Sequence, residues 1–210
     1  MLKDRKILVL APHTDDGELG CGATIARAQE EGATVYYAAF STADESVPEG
    51  FPRNQLEKEV RKATRILKIN TNQLLVYKYE VRKLNYVRQE ILEELIRIRD
   101  RIQPDLVFLP SLRDIHQDHQ VIAAEGLRAF KNSSLLGYEL IWNNRTFDTD
   151  CFIPVEQRHV KRKIKALQAY ITQQGKSFMD PEFIESMARV RGTQIGVKYA
   201  EAFEVIRWII

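Results

Sequence analysis

"KILVLAPHTDDGELGCGAT", residues 6–24, decides the fold. An apolar run from Ile7 to Ala11 ends at Pro12, and His13 and the neighbouring carboxylates Asp15 and Asp16 follow. A short, nearly continuous apolar run is the pattern of a strand covered on both faces. Two adjacent carboxylates at its end repel each other, and both prefer water to a sheet edge. A cation resolves the conflict, so the stretch predicts a buried first strand that leads into a metal-binding loop.

Working outward, KILVLA (6–11), TVYYAAF (34–40), QLLVYKY (73–79), DLVFLP (105–110) and YELIWN (138–143) all read as strands. Helical patterns lie between them. One runs over 22–32 with Gly32 as its C-cap. The next, over 54–68, carries Leu56, Val60, Ala63 and Leu67 at helical spacing; a third, over 84–104, carries Val87, Ile91, Leu95 and Ile98 and stops before Pro104. Alternating strands and helices predict a Rossmann-like three-layer α/β/α fold with a mostly parallel sheet and right-handed crossovers, as one domain over 1–210. Beyond residue 145 the pattern loosens into helices over 155–172 and 181–190 and a last strand-like run, AFEVIRWI (202–209). Trp142 and Trp208, both in apolar runs, are expected in the core.

Composition narrows the class. The 210 residues carry 31 basic and 29 acidic side chains, a net charge of +2, which points to no nucleic acid or other polyanionic partner. The basic run RHVKRKIK (158–165) reads as the solvated face of a helix, with His159 at the surface. The apolar run near the N-terminus is too short for a signal peptide, and no stretch approaches the roughly 18 apolar residues of a membrane span. Two cysteines, Cys21 and Cys151, make neither a disulfide framework nor a thiolate metal site. The expectation is a cytoplasmic protein with both thiols reduced and Cys21 a small packing residue.

In open parallel sheets, ligands bind outside the carboxyl ends of the strands. The segment after the fourth strand, SLRDIHQDHQ, holds His116, Asp118 and His119, so three of the four histidines follow strands at that one edge. Mixed nitrogen and oxygen donors without thiolate suit zinc, and iron, cobalt or manganese fit as well. His13 and Asp16, three apart on one turn, are spaced to grip a single ion, with one distant histidine completing a three-ligand set. A carboxylate left off the ion can act as general base toward water. Of the two aspartates, one would then hold metal and the other protons.

At this point APHTDDGELGCGAT resembles the H-x-D-D-x-E-x-G-x-G-G-T signature of the PIG-L/LmbE family of zinc-dependent N-deacetylases, and DIHQDHQ resembles its H-x-D-H motif. EVRKATRIL and the tail RGTQIGVKYAEAF are similar to further family segments, so the resemblance spans nearly the whole chain. By position, it implies that His13, Asp16 and His119 ligate zinc and that Asp15 is the general base. It implies that His116, as a cationic imidazole oriented by Asp118, stabilises the oxyanion. The implied reaction removes the acetyl group from an N-acetylglucosamine-type sugar, free or in a glycoconjugate; separately, the chain's small size and the edge location of the site permit a homo-oligomer whose neighbours complete the substrate pocket. The chain departs from the signature at Thr14, Ala23, Lys68 and Gln117, none of them a ligand or the base. Lys68 replaces a glycine, so the helix before it is expected to end differently.

Other candidates are weaker. Glu18 reads as a helix-opening acid. Gly20 and Gly22 lack dinucleotide spacing and read as turn residues beside the metal. Arg53, in the loop after the second strand, is a candidate for binding a substrate hydroxyl or phosphate. Asn143 and Asn144 are similarly placed. Two rival readings remain: a metallo-amidase of the same build acting on a non-sugar amide, and a non-catalytic acidic pocket for magnesium. Histidines argue against the second, since magnesium prefers oxygen ligands.

Overall fold

The apolar run Lys6–Ala11 forms strand β1, and every residue of it after Lys6 is buried. The computed structural model describes residues 2–209. Around β1 the chain lays down α1 (Asp16–Glu30), β2 (Thr34–Ala39), α2 (Gln55–Ile66), β3 (Leu74–Val76), α3 (Arg88–Ile102), β4 (Leu106–Pro110) and α4 (Gln117–Ala129). It continues through β5 (Ser134–Tyr138), β6 (Cys151–Val155), α5 (Gln157–Leu167), α6 (Pro181–Gln194) and β7 (Tyr199–Arg207). The sheet order is β3-β2-β1-β4-β5-β7-β6. The first five strands run parallel, and β7 lies antiparallel between β5 and β6.

Strand residues point alternately to opposite faces. Ile7 and Val9 pack into one core with Leu19 and Ile25 of α1, Val60 of α2 and Leu167 of α5. Leu8 and Leu10 pack into the other with Ile91 and Leu95 of α3 and Val121 and Ile122 of α4. This is the expected three-layer arrangement, with β1 and β4 side by side at its centre.

The departures concentrate after β4. The fifth strand occupies Ser134–Tyr138 rather than 138–143; only Tyr138 is shared, and Leu140 to Asn144 form a turn closed by Leu140 carbonyl bonds. Helix α4 and strand β6 were not among the expected elements. Trp142 and Trp208 are each 39% exposed, not core residues. Helix α2 ends as a glycine would end it: Lys68 itself takes a left-handed φ of 64°. Ile69 N–H then bonds Thr64 C=O at 2.9 Å and Lys68 N–H bonds Arg65 C=O at 3.0 Å, closing a Schellman motif.

Helix α1 begins at Asp16, six residues earlier than its amphipathic pattern suggested, and is broken at Cys21 (φ −143°, ψ 23°). The break is capped from both sides. Lys163 Nζ donates to Leu19 C=O at 2.6 Å, while Glu201 accepts Ala23 N–H at 3.2 Å and Thr24 N–H at 2.6 Å. Lys163 and Glu201 pair at 2.7 Å, so this lysine of the basic run is largely buried rather than solvated. Gly20 is a packing residue, not a turn: a Cβ there would stand 2.3 Å from the Tyr138 ring. Gly22 is likewise covered, by the Lys163 stem at 2.9 Å.

A candidate metal centre at the carboxyl edge of the sheet

Because β1 and β4 are paired, the loops after them lie together, each running into a helix N-terminus. His13 leaves β1; Asp15 is the N-cap of α1, and Asp16 is its first residue. His116 is the N-cap of α4, its Nδ1 accepting Asp118 N–H at 3.2 Å. Three donor atoms converge. His13 Nδ1 and His119 Nε2 each lie 3.2 Å from Asp16 Oδ2, and 3.2 Å from each other. A tetrahedral ion with bonds of about 2.0 Å spaces its ligands about 3.3 Å apart. The triangle therefore fits one such ion. His116 stands just outside it, with one nitrogen of each of the three imidazoles within 4.8 Å of the others.

Buried carboxylates hold the rings from behind. Asp114 Oδ2 takes His119 Nδ1 at 2.7 Å, and Asp118 Oδ2 takes His13 Nε2 at 2.9 Å. Such partners set which nitrogen faces a metal and raise its basicity. Asp118 is thus a correction, because its carboxylate orients His13 and not His116. It also accepts Arg82 N–H at 2.6 Å and Leu84 N–H at 3.3 Å. Asp114, the second such carboxylate, was missed. Its only sequence signal is an acid five residues before His119, and nothing local foretells that it is buried.

The charges follow from this cage. Burial lowers the His13 pKa, but Asp16 and Asp118 outweigh it and carry it to about 9. Burial likewise opposes His119, yet Asp16 and Asp114 raise it to about 10. Despite its burial, Asp16 is held well below the usual carboxylate range by the two histidines. The triad favours positive charge in its midst, as two imidazolium protons or as a cation replacing them. Asp15 goes the other way: burial, then repulsion from Asp16, pushes it up to about 6. Burial and the neighbouring rings lower His116. It is neutral near pH 7 rather than cationic, and with Nδ1 accepting a backbone N–H, its Nε2 carries the proton.

These groups open on a cleft of about 400 Å³, whose wall includes Leu56, Arg82, Trp142, Asn143, Lys176 and Phe178. Trp142 stacks on Phe178 with ring centroids 4.2 Å apart. Arg53 is not on this wall; its side chain is 79% exposed and meets Glu45 at 3.7 Å. Asn144 spends its Oδ1 on Leu140 N–H. His159 is buried, accepting Glu156 N–H at 3.0 Å and contacting Glu30 at 3.1 Å, far from any surface role. Glu18 is no solvated cap. It is fully buried against the hydroxyls of Tyr37 and Tyr170, and desolvation lifts its pKa to about 8. Cys21 is buried, with Sγ 3.2 Å from Gly17 C=O.

Comparison with known proteins follows the same lines. The family model described as PIG-L, GlcNAc-PI de-N-acetylase, matches residues 8–130. A curated Escherichia coli relative, the uncharacterized deacetylase YaiS, is 25% identical over 174 residues, covering 80% of this chain and 91% of its own. A conserved protein of Thermus thermophilus superposes with a TM-score of 0.82 at 28% identity, covering 98% of this chain and 96% of that one. The N,N'-diacetylchitobiose deacetylase of Pyrococcus horikoshii superposes at 0.79 with 21% identity, over 96% and 84%. At that identity the likeness is one of fold alone. No helix among the described residues is long and apolar enough to cross a membrane.

Proposed function

Since the chain belongs to the PIG-L family of de-N-acetylases, we propose that it hydrolyses the N-acetyl group of an N-acetylglucosamine-type sugar with the help of one divalent metal ion. The observation that carries this reading is the 3.2 Å triangle of His13 Nδ1, Asp16 Oδ2 and His119 Nε2, with Asp15 beside it on the same cleft. These three residues would hold the ion. Zinc suits two imidazoles and a carboxylate, as do Fe2+ and Co2+. When bound, it would polarise the acetyl carbonyl and lower the pKa of water toward about 7.

The chain's own groups account for the protons. Asp15 is half-buried, makes no side-chain capping bond to its helix, and has a pKa pushed up to about 6, near the working range of a general base. It accepts the proton of the attacking water as the oxygen bonds to the acetyl carbon. When the carbon–nitrogen bond breaks, it returns that proton to the departing amine. His116, neutral with its proton on Nε2, donates a hydrogen bond to the carbonyl oxygen as negative charge builds there; one such donor is worth about 3 kcal/mol in the barrier. Asp118 and Asp114 act through the histidines they hold, as positioning residues. Trp142 and Phe178 offer an aromatic face to the sugar ring.

Acetate release from a panel of N-acetylglucosamine conjugates by the zinc-loaded protein, with Asp15→Asn as control, tests the proposal. Acetate that appears with a conjugate and vanishes in the variant supports it. Silence across the panel with zinc bound moves the reading to a non-sugar amide.

A further inference from the structure

Asp15 opens helix α1 but its side chain does not cap it. Aspartate is among the residues most favoured at that position, because its carboxylate accepts the free N–H of the second or third helical residue. Here the backbone of Asp15 is helical (φ −102°, ψ −10°) rather than extended, and the residue lines the cleft instead. The second N–H of the helix, that of Gly17, already has a partner. It donates to the hydroxyl oxygen of Tyr37 at 3.1 Å.

That hydroxyl is brought in by β2 and held from its other side. Tyr37 is buried, and its single proton faces Glu18 Oε2 and the Thr14 carbonyl, the latter at 2.9 Å. Tyr170, beyond the end of α5, brings a second buried hydroxyl to the same two groups, 2.7 Å from Thr14 C=O and 3.1 Å from Glu18 Oε1. Among the described residues, Tyr37 alone supplies a side-chain acceptor to the Gly17 N–H. Residue 17 must be glycine for this approach: a Cβ there would stand 2.5 Å from the Tyr37 ring and 2.7 Å from its hydroxyl oxygen. Glu18, fully buried and without a part in the proton transfers above, is the acceptor that fixes both hydroxyls. With its proton turned toward Glu18 and Thr14, the Tyr37 oxygen keeps a lone pair for the helix.

We infer that Tyr37, held by Glu18, caps α1 in place of Asp15 and thereby leaves the Asp15 carboxylate free to act on water. Tyr37 is a positioning residue, acting through Asp15 from behind the cleft. The inference rests on the deacetylase reading for the task Asp15 performs, but not for the exchange of caps.

The test pairs turnover with melting of the zinc-loaded protein. In Tyr37→Phe the Gly17 N–H loses its partner and draws the Asp15 carboxylate onto the helix. The expected result is a kcat lowered about 10–100-fold, with KM and zinc content unchanged. Tyr170→Phe removes a hydroxyl from the same two acceptors but leaves the Gly17 N–H covered, so its loss should be far smaller. Made in Asp15→Asn, Tyr37→Phe should lower the residual rate no further, because it acts only through that carboxylate. Equal losses in the two phenylalanine variants, or an undiminished loss in Asp15→Asn, overturn the inference and leave deacetylation standing. Melting decides the exchange of caps without any substrate. Asp15→Ala alone should not lower the melting temperature, since its side chain caps nothing. Tyr37→Phe should lower it more in Asp15→Ala than in the parent, by about 2–4 °C, the worth of one cap. That result without acetate release from any sugar upholds the exchange of caps and overturns deacetylation. A drop of that size from Asp15→Ala alone, or equal drops from Tyr37→Phe in both backgrounds, overturns the inference whatever the activity. The Asp15→Ala measurement stands even where Tyr37→Phe fails to fold.

Discussion

The floor and the rim of the cleft are built in opposite ways. On the floor, His13, Asp16, Asp114, Asp118 and His119 hold one another through side-chain contacts of 2.7–3.2 Å, and the four other than His13 are buried. On the rim, Arg82, Trp142 and Lys176 come from loops and stay exposed, with few partners. The floor is thus pre-organised for chemistry, and the rim is free to differ without disturbing it. Binding and catalytic side chains on loops carried by a rigid sheet follow this division generally.

Substitutions can break or sharpen that contrast. The largest effects belong to the floor. His119→Ala should abolish stoichiometric metal binding, read as metal content after dialysis, and activity with it. Asp15→Asn should keep the metal and lower kcat by about 10²–10⁴. A variant at Asp15 with normal kcat would remove the base from its role. Next comes the support behind the ligands: Asp114→Asn should weaken metal affinity about 10–100-fold, measured by competition with a chelator. A smaller loss would mean that the cage is less coupled than its 2.7 Å contact with His119 implies. On the rim, Trp142→Ala should raise KM roughly three- to tenfold, the worth of an aromatic contact, while metal content stays whole. If metal were lost, floor and rim would not be separable.

The last prediction concerns the metal-free protein. His13 and His119 titrate at about 9 and about 10 when folded, against about 6.5 in an unfolded chain. Their raised values contribute stability that is fully present below about pH 6.5 and is lost as pH rises through 9 and 10. Melting temperature without metal should therefore fall by a few degrees or more across that window. With metal bound, the ligands are already deprotonated, and the drop from these two groups should disappear. An equal drop in both forms would place its origin outside the triad.

Much of the floor was legible because its signal is local. A buried strand followed by His13, Asp15 and Asp16, and a second followed by His116, Asp118 and His119, announce donors at one sheet edge whatever the rest of the chain does. The rim was not. Arg53 looked as well placed as any loop cation, but its side chain points into solvent. Arg82 follows β3 after a further loop, and nothing nearby in sequence says that its backbone meets Asp118, 36 residues away. Trp142 reads as core from its apolar neighbours, yet the turn at 140–144 carries it to the cleft. His159 errs the other way, since a basic run conceals a position buried by capping its own helix.

The C-terminal third shows the same limit in the fold. Parallel strands covered on both faces are near-continuous apolar runs, and β1, β2 and β4 could be read directly. Strand β6 contains a proline and is partly exposed, and β5 carries Ser134 and Gly137, so neither stands out from loop composition. The sequence by itself determined the parallel core, its carboxyl edge and the donor types gathered there, because hydrophobic period and residue chemistry are properties of short stretches. Tertiary structure alone decided which carboxylate supports which histidine, which cations face the cleft, and how β7 joins the sheet. Those are contacts between residues tens of positions apart, and no local pattern encodes them.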